Sequence, residues 1–184
     1  MKWYAYKDDG TNYTMILDHN TTPIIAWNSS GNNADGMKEV ADSLANDTTG
    51  WKGSPRLITA DEVAEITKNT TFNSKITDHN GYFYFETNST NKPSLFEGTY
   101  GWLYSNTAEC TSYGCGISDD NKYEYGTEKN IHNVFGYWTS TSVHNNDIFA
   151  WRVISLGYMS GNYVDEELSF GVRPVITIDK SIIK

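Results

Sequence analysis

Two cysteines with four residues between them are the most reactive side chains of this chain. They are Cys110 and Cys115, and no histidine or third cysteine lies close enough in sequence to complete a zinc site with them. Gly114 lets the backbone bend between them. We therefore predict a disulfide that closes a small surface loop. Free thiols and a redox pair are the alternative interpretations.

The other side chains that could catalyse a reaction are scattered along the sequence. Each of the four histidines stands beside Asn or Asp in loop-like sequence, where capping and turn roles are common. Adjacent carboxylates occur at Asp8-Asp9, Asp119-Asp120 and Glu166-Glu167, and on loops such pairs are usually solvated. No hydrolase, zinc-protease or EF-hand motif is present. We therefore predict no enzymatic activity, no cofactor and no metal site.

Residue types suited to binding are concentrated between Ser142 and Ser169. Tyr, Ser, Asn and Gly on loops between rigid strands combine stiff aromatic contact with adaptable hydrogen bonding, as antibody loops do. Tyrosines would be the anchors, although Tyr158 and Tyr163 could equally brace the loop, and Trp151 is better suited to the core. The predicted ligand-binding residues are His144, Asn145, Asn146, Arg152, Ser155, Tyr158, Ser160, Asn162, Tyr163 and Glu166.

The chain has only three arginines, and each lies in an apolar, strand-like run. They are Arg56, Arg152 and Arg173. We expect Arg56 and Arg173 to make fixed pairs with carboxylates or loop carbonyls at the edge of the core. For Arg152, a structural role and contact with a ligand remain equally open.

Hydrophobic periodicity predicts the elements that must position these residues. Alternation indicates a β-hairpin over residues 3–17. An apolar stripe at positions i, i+3, i+4 and i+7 predicts a helix over 36–46. A capping box formed by Thr59 and Glu62 predicts a second helix over 60–68.

Further strands and two long loops complete the predicted fold. Strands followed by two helices, long loops and more strands indicate an α+β fold with antiparallel strands rather than alternating βαβ units. The further strands are predicted at 23–27, 82–85, 100–104, 136–143, 148–154 and 171–178, and the loops at 69–97 and 105–133.

The size and charge of the chain indicate how many domains it forms and which kinds of partner it could bind. With 184 residues, the chain is expected to form a single domain over 1–184. A net charge of −9, without a Lys/Arg stripe, argues against nucleic acid and against anionic membrane surfaces as partners. The sequence has no transmembrane run and no signal peptide, so we expect no direct membrane insertion of this chain. Abundant aromatics and amides favour an extracellular or cell-surface location.

The C-terminal third of the chain contains a pattern made of several short motifs. Its parts are Gly136-Tyr-Trp-Thr-Ser-Thr-Ser142, Ala150-Trp-Arg-Val153, Gly157 and Ser169-Phe-Gly-Val-Arg-Pro-Val-Ile-Thr-Ile178. This pattern resembles the closing half of bacterial C-type-lectin-fold domains from surface proteins. The resemblance implies a C-type-lectin-like fold with two helices, antiparallel strands and long loops. Supporting upstream segments are Leu17-Asp-His-Asn-Thr, Ala26-Trp-Asn-Ser-Ser-Gly-Asn-Asn and Arg56-Leu-Ile-Thr-Ala-Asp-Glu-Val63, so the resemblance covers nearly the whole chain.

The same resemblance implies binding rather than chemistry. Relatives of this type include the variable proteins of diversity-generating retroelements and domains that follow a prepilin-like segment. The resemblance implies a surface-displayed, adhesin-like domain that binds an unknown protein or glycan on a cell or phage surface. The binding region would be Ser142 to Ser169, because the corresponding interval varies in the variable proteins. The sugar-binding motifs of calcium-dependent lectins are missing here, so the fold name does not imply sugar binding.

Two alternative functions come from the same family. One is a structural pilus subunit, whose lectin-like domain makes only subunit contacts. The other is a formylglycine-generating-type oxidase, because such enzymes bind copper through a cysteine pair with the spacing of Cys110 and Cys115. Here, however, the pair precedes the Tyr-Trp strand, and the surrounding motif of those enzymes is missing.

Overall fold

The computed structural model describes residues 1–85, 99–104, 115–117, 123–127, 130–155 and 157–183. These residues form a mixed α+β structure with few helices, which confirms the predicted class. The helices are α1 (Glu39–Asp47), α2 (Ala60–Thr67) and α3 (Gly101–Tyr104). The strands are β1 (Trp3–Asp8), β2 (Asn12–Leu17), β3 (Phe83–Tyr84), β4 (Cys115–Ile117), β5 (Tyr123–Thr127), β6 (Asn130–Val134), β7 (Gly136–Ser142), β8 (Phe149–Ile154), β9 (Tyr158–Tyr163), β10 (Phe170–Gly171) and β11 (Val175–Asp179).

The strands form three sheets. The first has the order β1-β2-β11, the second β10-β7-β8-β9-β3, and the third β4-β5-β6. All pairs are antiparallel except β10 with β7. The first sheet therefore joins the two ends of the chain, because β11 returns to pair with β2.

The N-terminal hairpin and the second helix are confirmed. Gly10 has a φ of 92° in the turn between β1 and β2, a conformation that glycine adopts at little cost. At the start of α2, the Thr59 hydroxyl accepts from the Glu62 backbone N–H while the Glu62 carboxylate accepts from the Thr59 backbone N–H. The predicted capping box therefore sets the start of this helix.

The first helix begins later than predicted. Residues Asn33–Asp35 form a 3-10 turn, and Gly36 follows with a φ of 79°, so α1 begins at Glu39 rather than at Gly36. Its buried residues are Val40 and Leu44, two members of the predicted apolar stripe.

Two predicted strands are not strands. Residues 23–27 make only isolated backbone contacts, such as the Ile25 N–H to the Phe170 carbonyl at 2.7 Å, so no ladder forms. Residues 101–104 form the single turn α3 instead. In that turn, the carbonyls of Trp102 and Leu103 accept hydrogen bonds from Arg173, and a cation beside the last carbonyls stabilises a helical turn.

The C-terminal part of the chain contains more strands than predicted. The interval 105–133, predicted as a loop, includes β4, β5 and most of β6. The predicted strand 171–178 is divided into β10 and β11, which belong to different sheets. Pro174 lies at the division and has no N–H to donate to a ladder.

The five-stranded sheet is buried on both faces. On β8, Trp151 and Val153 belong to one core cluster, which includes Val63 of α2, and we call this the α2 side. Ala150 and Ile154 belong to a second cluster with Val40 of α1, and we call this the α1 side. Burial on both faces explains why β8 is an almost uninterrupted apolar run with one charged residue, Arg152.

Arg173 is a fully buried cation held by backbone carbonyls. Its side chain is 0% exposed. Nε donates to the Leu17 carbonyl at 2.6 Å, Nη1 to Leu103 at 2.7 Å, and Nη2 to Asp18 at 3.2 Å and Trp102 at 2.7 Å. The predicted structural role with loop carbonyls is confirmed. This one side chain joins the end of β2, the turn α3 and the link between β10 and β11.

We expect Arg173→Lys to lower the free energy of unfolding by about 3 kcal/mol, because an ammonium cannot span all four carbonyls and leaves buried acceptors unsatisfied. Urea denaturation measures the change. The control is Arg56→Lys, whose partner Glu62 is only partly buried, and there the loss should be about 1 kcal/mol or less. Equal losses in both variants would contradict the role assigned to Arg173.

Glu62 should make stability depend on pH. Burial alone would raise the pKa of Glu62, but hydrogen bonds donated by Arg56 and by the Thr59 N–H outweigh burial and hold this pKa below its ordinary value of 4.5. The stabilisation by ionised Glu62 is therefore fully present above pH 4.5 and is lost as pH falls through the lowered pKa. Wild type should exceed Glu62→Gln in unfolding free energy by about 1 kcal/mol at pH 7 and by nothing near pH 2. A difference that does not change with pH would contradict this account.

Candidate functional site

The predicted binding interval contains a strand that the sequence did not indicate. Residues Tyr158–Tyr163 were predicted as loop, but they form β9 and pair one to one with β8 along its whole length. The register places Tyr158, Ser160 and Asn162 on the α1 side with Arg152, and Tyr163 on the opposite face. Ser, Gly and Asn are weak strand formers, so the pairing with β8, rather than local propensity, produces this strand.

The segment that includes His79 and β3 covers the outer edge of β9 in two places. β3 pairs with Tyr158 and Met159 only. Further along, the Gly161 N–H donates to the His79 carbonyl at 3.0 Å, and the His79 ring stacks on Phe149 with centroids 3.7 Å apart. A Cβ on Gly161 would lie 2.7 Å from the Cβ of His79, so only glycine permits this close approach.

Between these two contacts lies a cavity of about 200 Å³, which we call the β9-edge cavity. Four of the ten predicted binding residues line it, namely Arg152, Ser160, Asn162 and Tyr163. The other lining residues are Phe149 of β8, Gly161 of β9, and His79, Asn80 and Tyr82 of the segment before β3. The cavity reaches both faces of the sheet because it wraps around the edge of β9.

Arg152 is the one Lys or Arg among the described residues that line this cavity. Its guanidinium lies 4.2 Å from the centroid of the Phe170 ring, a favourable cation–π geometry. Burial lowers the pKa of Arg152 to about 10, because desolvation disfavours the charged form, and the nearby Tyr158 and Glu166 oppose this change. The group therefore stays protonated at neutral pH.

Arg152 has a donor group that is unsatisfied within the described part of the chain. Its Nε is buried without a hydrogen-bond partner there, and no carboxylate of a described residue pairs with its guanidinium. Ser160 is 4% exposed, and its hydroxyl also has no partner among the described residues. Buried polar groups in folded proteins are normally satisfied, so two such groups at one cavity indicate a site that something else completes.

Tyr158 and Glu166 flank the cavity without lining it. The Tyr158 ring packs against Tyr82 and Tyr84, with centroids 5.1 and 5.5 Å away, and burial raises its pKa. The Glu166 carboxylate accepts from the Leu168 N–H at 2.8 Å, and this bond fixes the loop after β9. Glu166 is near enough to Arg152 to affect its charge but makes no direct hydrogen bond with it.

The remaining four predicted residues lie apart from the cavity. His144 and Asn145 form the exposed turn between β7 and β8, where Asn145 has a φ of 52°. The Asn146 side chain accepts from the Ile148 N–H at 3.1 Å within the same turn. Ser155 is buried beyond the other end of β8. The structure therefore does not bring these residues together with Arg152.

The predicted cysteine pair cannot be placed as a pair. Cys110 lies outside the described residues, and Cys115 begins β4. The disulfide and its alternatives therefore stay predictions. Among the residues with described placement, no group of three or more His, Cys, Asp or Glu side chains could hold a metal ion. Within the same residues, no helix has both the length and the apolar character needed to cross a membrane.

Sequence reasoning missed the contribution of the segment before β3. His79 was set aside as one of four scattered histidines, and Asn80 carries no signal of its own. Two signals could have found the segment. Alternation in 82–85 places Tyr82 and Tyr84 on one face, and a glycine inside a strand, here Gly161, often marks the close approach of another backbone.

Comparisons of the chain with protein-family models, with curated proteins and with solved structures found no match.

The two tyrosines of β9 should differ in their effect on stability. Tyr158 is half-buried among other rings, whereas Tyr163 is 54% exposed and contacts mainly Phe149. We expect Tyr158→Ala to lower the unfolding free energy by about 2 kcal/mol and Tyr163→Ala by less than about 1 kcal/mol. Chemical denaturation of each single variant measures both values. A larger loss for Tyr163→Ala would mean that its ring belongs to the core.

Proposed function

We propose that this chain is a ligand-binding domain of C-type-lectin-like fold, displayed on a bacterial surface, which binds a macromolecular partner around the β9-edge cavity. The observation that carries the proposal is the charged, partly buried Arg152, whose buried Nε has no hydrogen-bond partner among the described residues, in a cavity with exposed tyrosines at its rim. A buried donor without a partner costs free energy, and a bound ligand that supplies the partner recovers it.

The framework segments support the fold part of the proposal. The Tyr-Trp segment is β7, the Ala-Trp-Arg-Val segment lies in β8, and the Gly-Val-Arg-Pro segment joins β10 to β11. Most residues of these segments other than Arg152 are buried, and the last segment contains the fully buried Arg173, so the segments serve mainly as framework.

The surface around the cavity supports the binding part. Tyr82 is 62% exposed and Tyr163 is 54% exposed. Ile148 and Leu168 are large exposed apolar residues. Ile148 lies close to Tyr163 in the strand pairing, and Leu168 lies close to it in the adjoining depression. Exposed tyrosine and apolar side chains near a partly buried arginine form the arrangement found at the centre of protein interfaces. The paired strands β8 and β9 hold Arg152 and Tyr163 in place before any partner binds.

Arg152 is better suited to binding than to proton transfer. General acid–base catalysis requires a group whose pKa is near the working pH. Arg152, with a pKa of about 10, holds its proton at neutral pH and is suited to bind and orient an anion or acceptor. We therefore propose that Arg152 binds a partner and that the chain is a binding domain rather than an enzyme.

An array of identified bacterial and host surface proteins and glycans, probed with the labelled chain, tests the proposal. We expect array members that bind wild type to bind Tyr163→Ala at least tenfold more weakly, because an aromatic anchor is lost at the rim. The matched control is Tyr13→Ala in β2 of the first sheet, where Tyr13 contacts Lys180 and lies outside the cavity. Equal losses in both variants, or no binding by wild type to any array member, would contradict the proposed function.

A further inference from the structure

We propose that the β9-edge cavity receives one Asp or Glu side chain of a protein partner, whose carboxylate pairs with Arg152. This inference rests on the proposed binding function and specifies the chemistry of the partner. It follows from the unfilled donors of the cavity, from its size and from the side chains at its rim.

The donors at the cavity match a carboxylate. A guanidinium presents parallel N–H groups that bind both oxygens of a carboxylate, and such charge-assisted bonds are stronger when the site is partly desolvated. The Ser160 hydroxyl and the Asn162 amide can donate to the same oxygens, and Ser160 has no other partner among the described residues. A neutral ligand would leave the charge of Arg152 uncompensated.

The surroundings favour a single negative charge over a phosphate. Asp165, Glu166 and Glu167 lie in the depression that adjoins the cavity at Tyr163, and the whole chain carries a net charge of −9. Each added negative charge on a ligand is repelled by these carboxylates, whereas the described lining of the cavity includes one arginine and no lysine. One carboxylate therefore gains the pairing with Arg152 at the smallest repulsive cost.

The cavity has room for the end of a side chain rather than for a complete small-molecule ligand. Its volume is about 200 Å³, below the roughly 300–1,000 Å³ of drug-sized sites. The edge of β9 is closed to an added peptide strand, because β3 and the His79 carbonyl already use it. A partner would therefore reach Arg152 by inserting a side chain and not by extending the sheet.

The rim favours a protein as the source of the carboxylate. Seven large hydrophobic residues are exposed in the described part of the chain, and two of them, Tyr82 and Tyr163, line this cavity. Leu168 lines the depression that adjoins the cavity at Tyr163, and Ile148 pairs with Val164, the residue after Tyr163. Protein interfaces surround a desolvated charged pair with aromatic and apolar side chains that exclude water. A polar glycan would leave Ile148 and Leu168 without apolar contact.

NMR titration with blocked amino acids tests the proposal without knowledge of the partner. The probe is N-acetyl-glutamate N-methylamide, which has one free side-chain carboxylate, and its neutral match is N-acetyl-glutamine N-methylamide. We expect the glutamate probe to shift the Arg152 Nε–H resonance saturably, with a dissociation constant of about 1–10 mM, and the glutamine probe to cause no saturable shift. Absence of a saturable shift with glutamate would overturn the proposal.

Two arginine variants separate the cavity from general charge effects. Arg152→Gln should weaken binding of the glutamate probe at least tenfold, measured by the shifts of backbone amides in β9. Arg56→Gln removes the same charge from the pair with Glu62, outside the cavity, and should leave the affinity unchanged. Unchanged affinity in Arg152→Gln would overturn the proposal. The comparison of the two probes on wild type remains decisive if Arg152→Gln fails to fold.

Competing ligands and the array distinguish this inference from the proposed function. Tighter binding of glucuronate or of inorganic phosphate than of the glutamate probe would overturn the assignment of an Asp or Glu side chain. An array member that binds wild type and Arg152→Gln equally would overturn the carboxylate pairing while supporting the proposed function. Saturable binding of the glutamate probe without any bound array member would support the carboxylate site and contradict the proposed function.

Discussion

The fold depends on one buried cation, Arg173. A guanidinium without water must have its N–H groups satisfied by the protein, and here four backbone carbonyls from two separate parts of the chain do so. The Tyr137 hydroxyl also donates to the Leu103 carbonyl, and Arg173 lies 5.1 Å from the Tyr137 ring, so the same centre reaches β7 of the five-stranded sheet. Satisfying a single charge thus helps to fix how the β1-β2-β11 sheet and the five-stranded sheet meet.

Arg152, in β8 of the five-stranded sheet, is the opposite case. Both arginines are flanked by apolar residues in sequence, but Arg173 is surrounded by carbonyls, whereas Arg152 has an aromatic ring on one side and a cavity on the other. The neighbours of Arg152 in β8 are buried on both faces and fix the backbone from which its side chain extends. The described residues thus leave the Nε of Arg152 without a hydrogen-bond partner although the strand that carries it is firmly packed.

Sequence reasoning was most successful where local chemistry decides the structure. The turn at Gly10 and the capping box of Thr59 and Glu62 require only neighbours within a few residues, and both were predicted. β9 was missed because its strand state comes from pairing with β8 and not from Ser160, Gly161 and Asn162 themselves. Four of the ten predicted binding residues meet at one cavity, and the contribution of His79, about eighty residues earlier in the chain, depends on a tertiary contact that no local pattern encodes.

The pairing of β9 also limits how this surface can change during evolution. Successive residues of the strand alternate between the two faces, so substitutions at Ser160 and Asn162 alter the chemistry of the cavity while Met159 continues to fill the core. An insertion or deletion of one residue would exchange the side chains of the two faces of β9. Met159 would then move outward, and polar side chains would enter the α2 side. The cavity-facing positions Ser160 and Asn162 can therefore change in composition with less effect on the core than Met159 or Gly161, whereas the length of the strand is constrained by the fold.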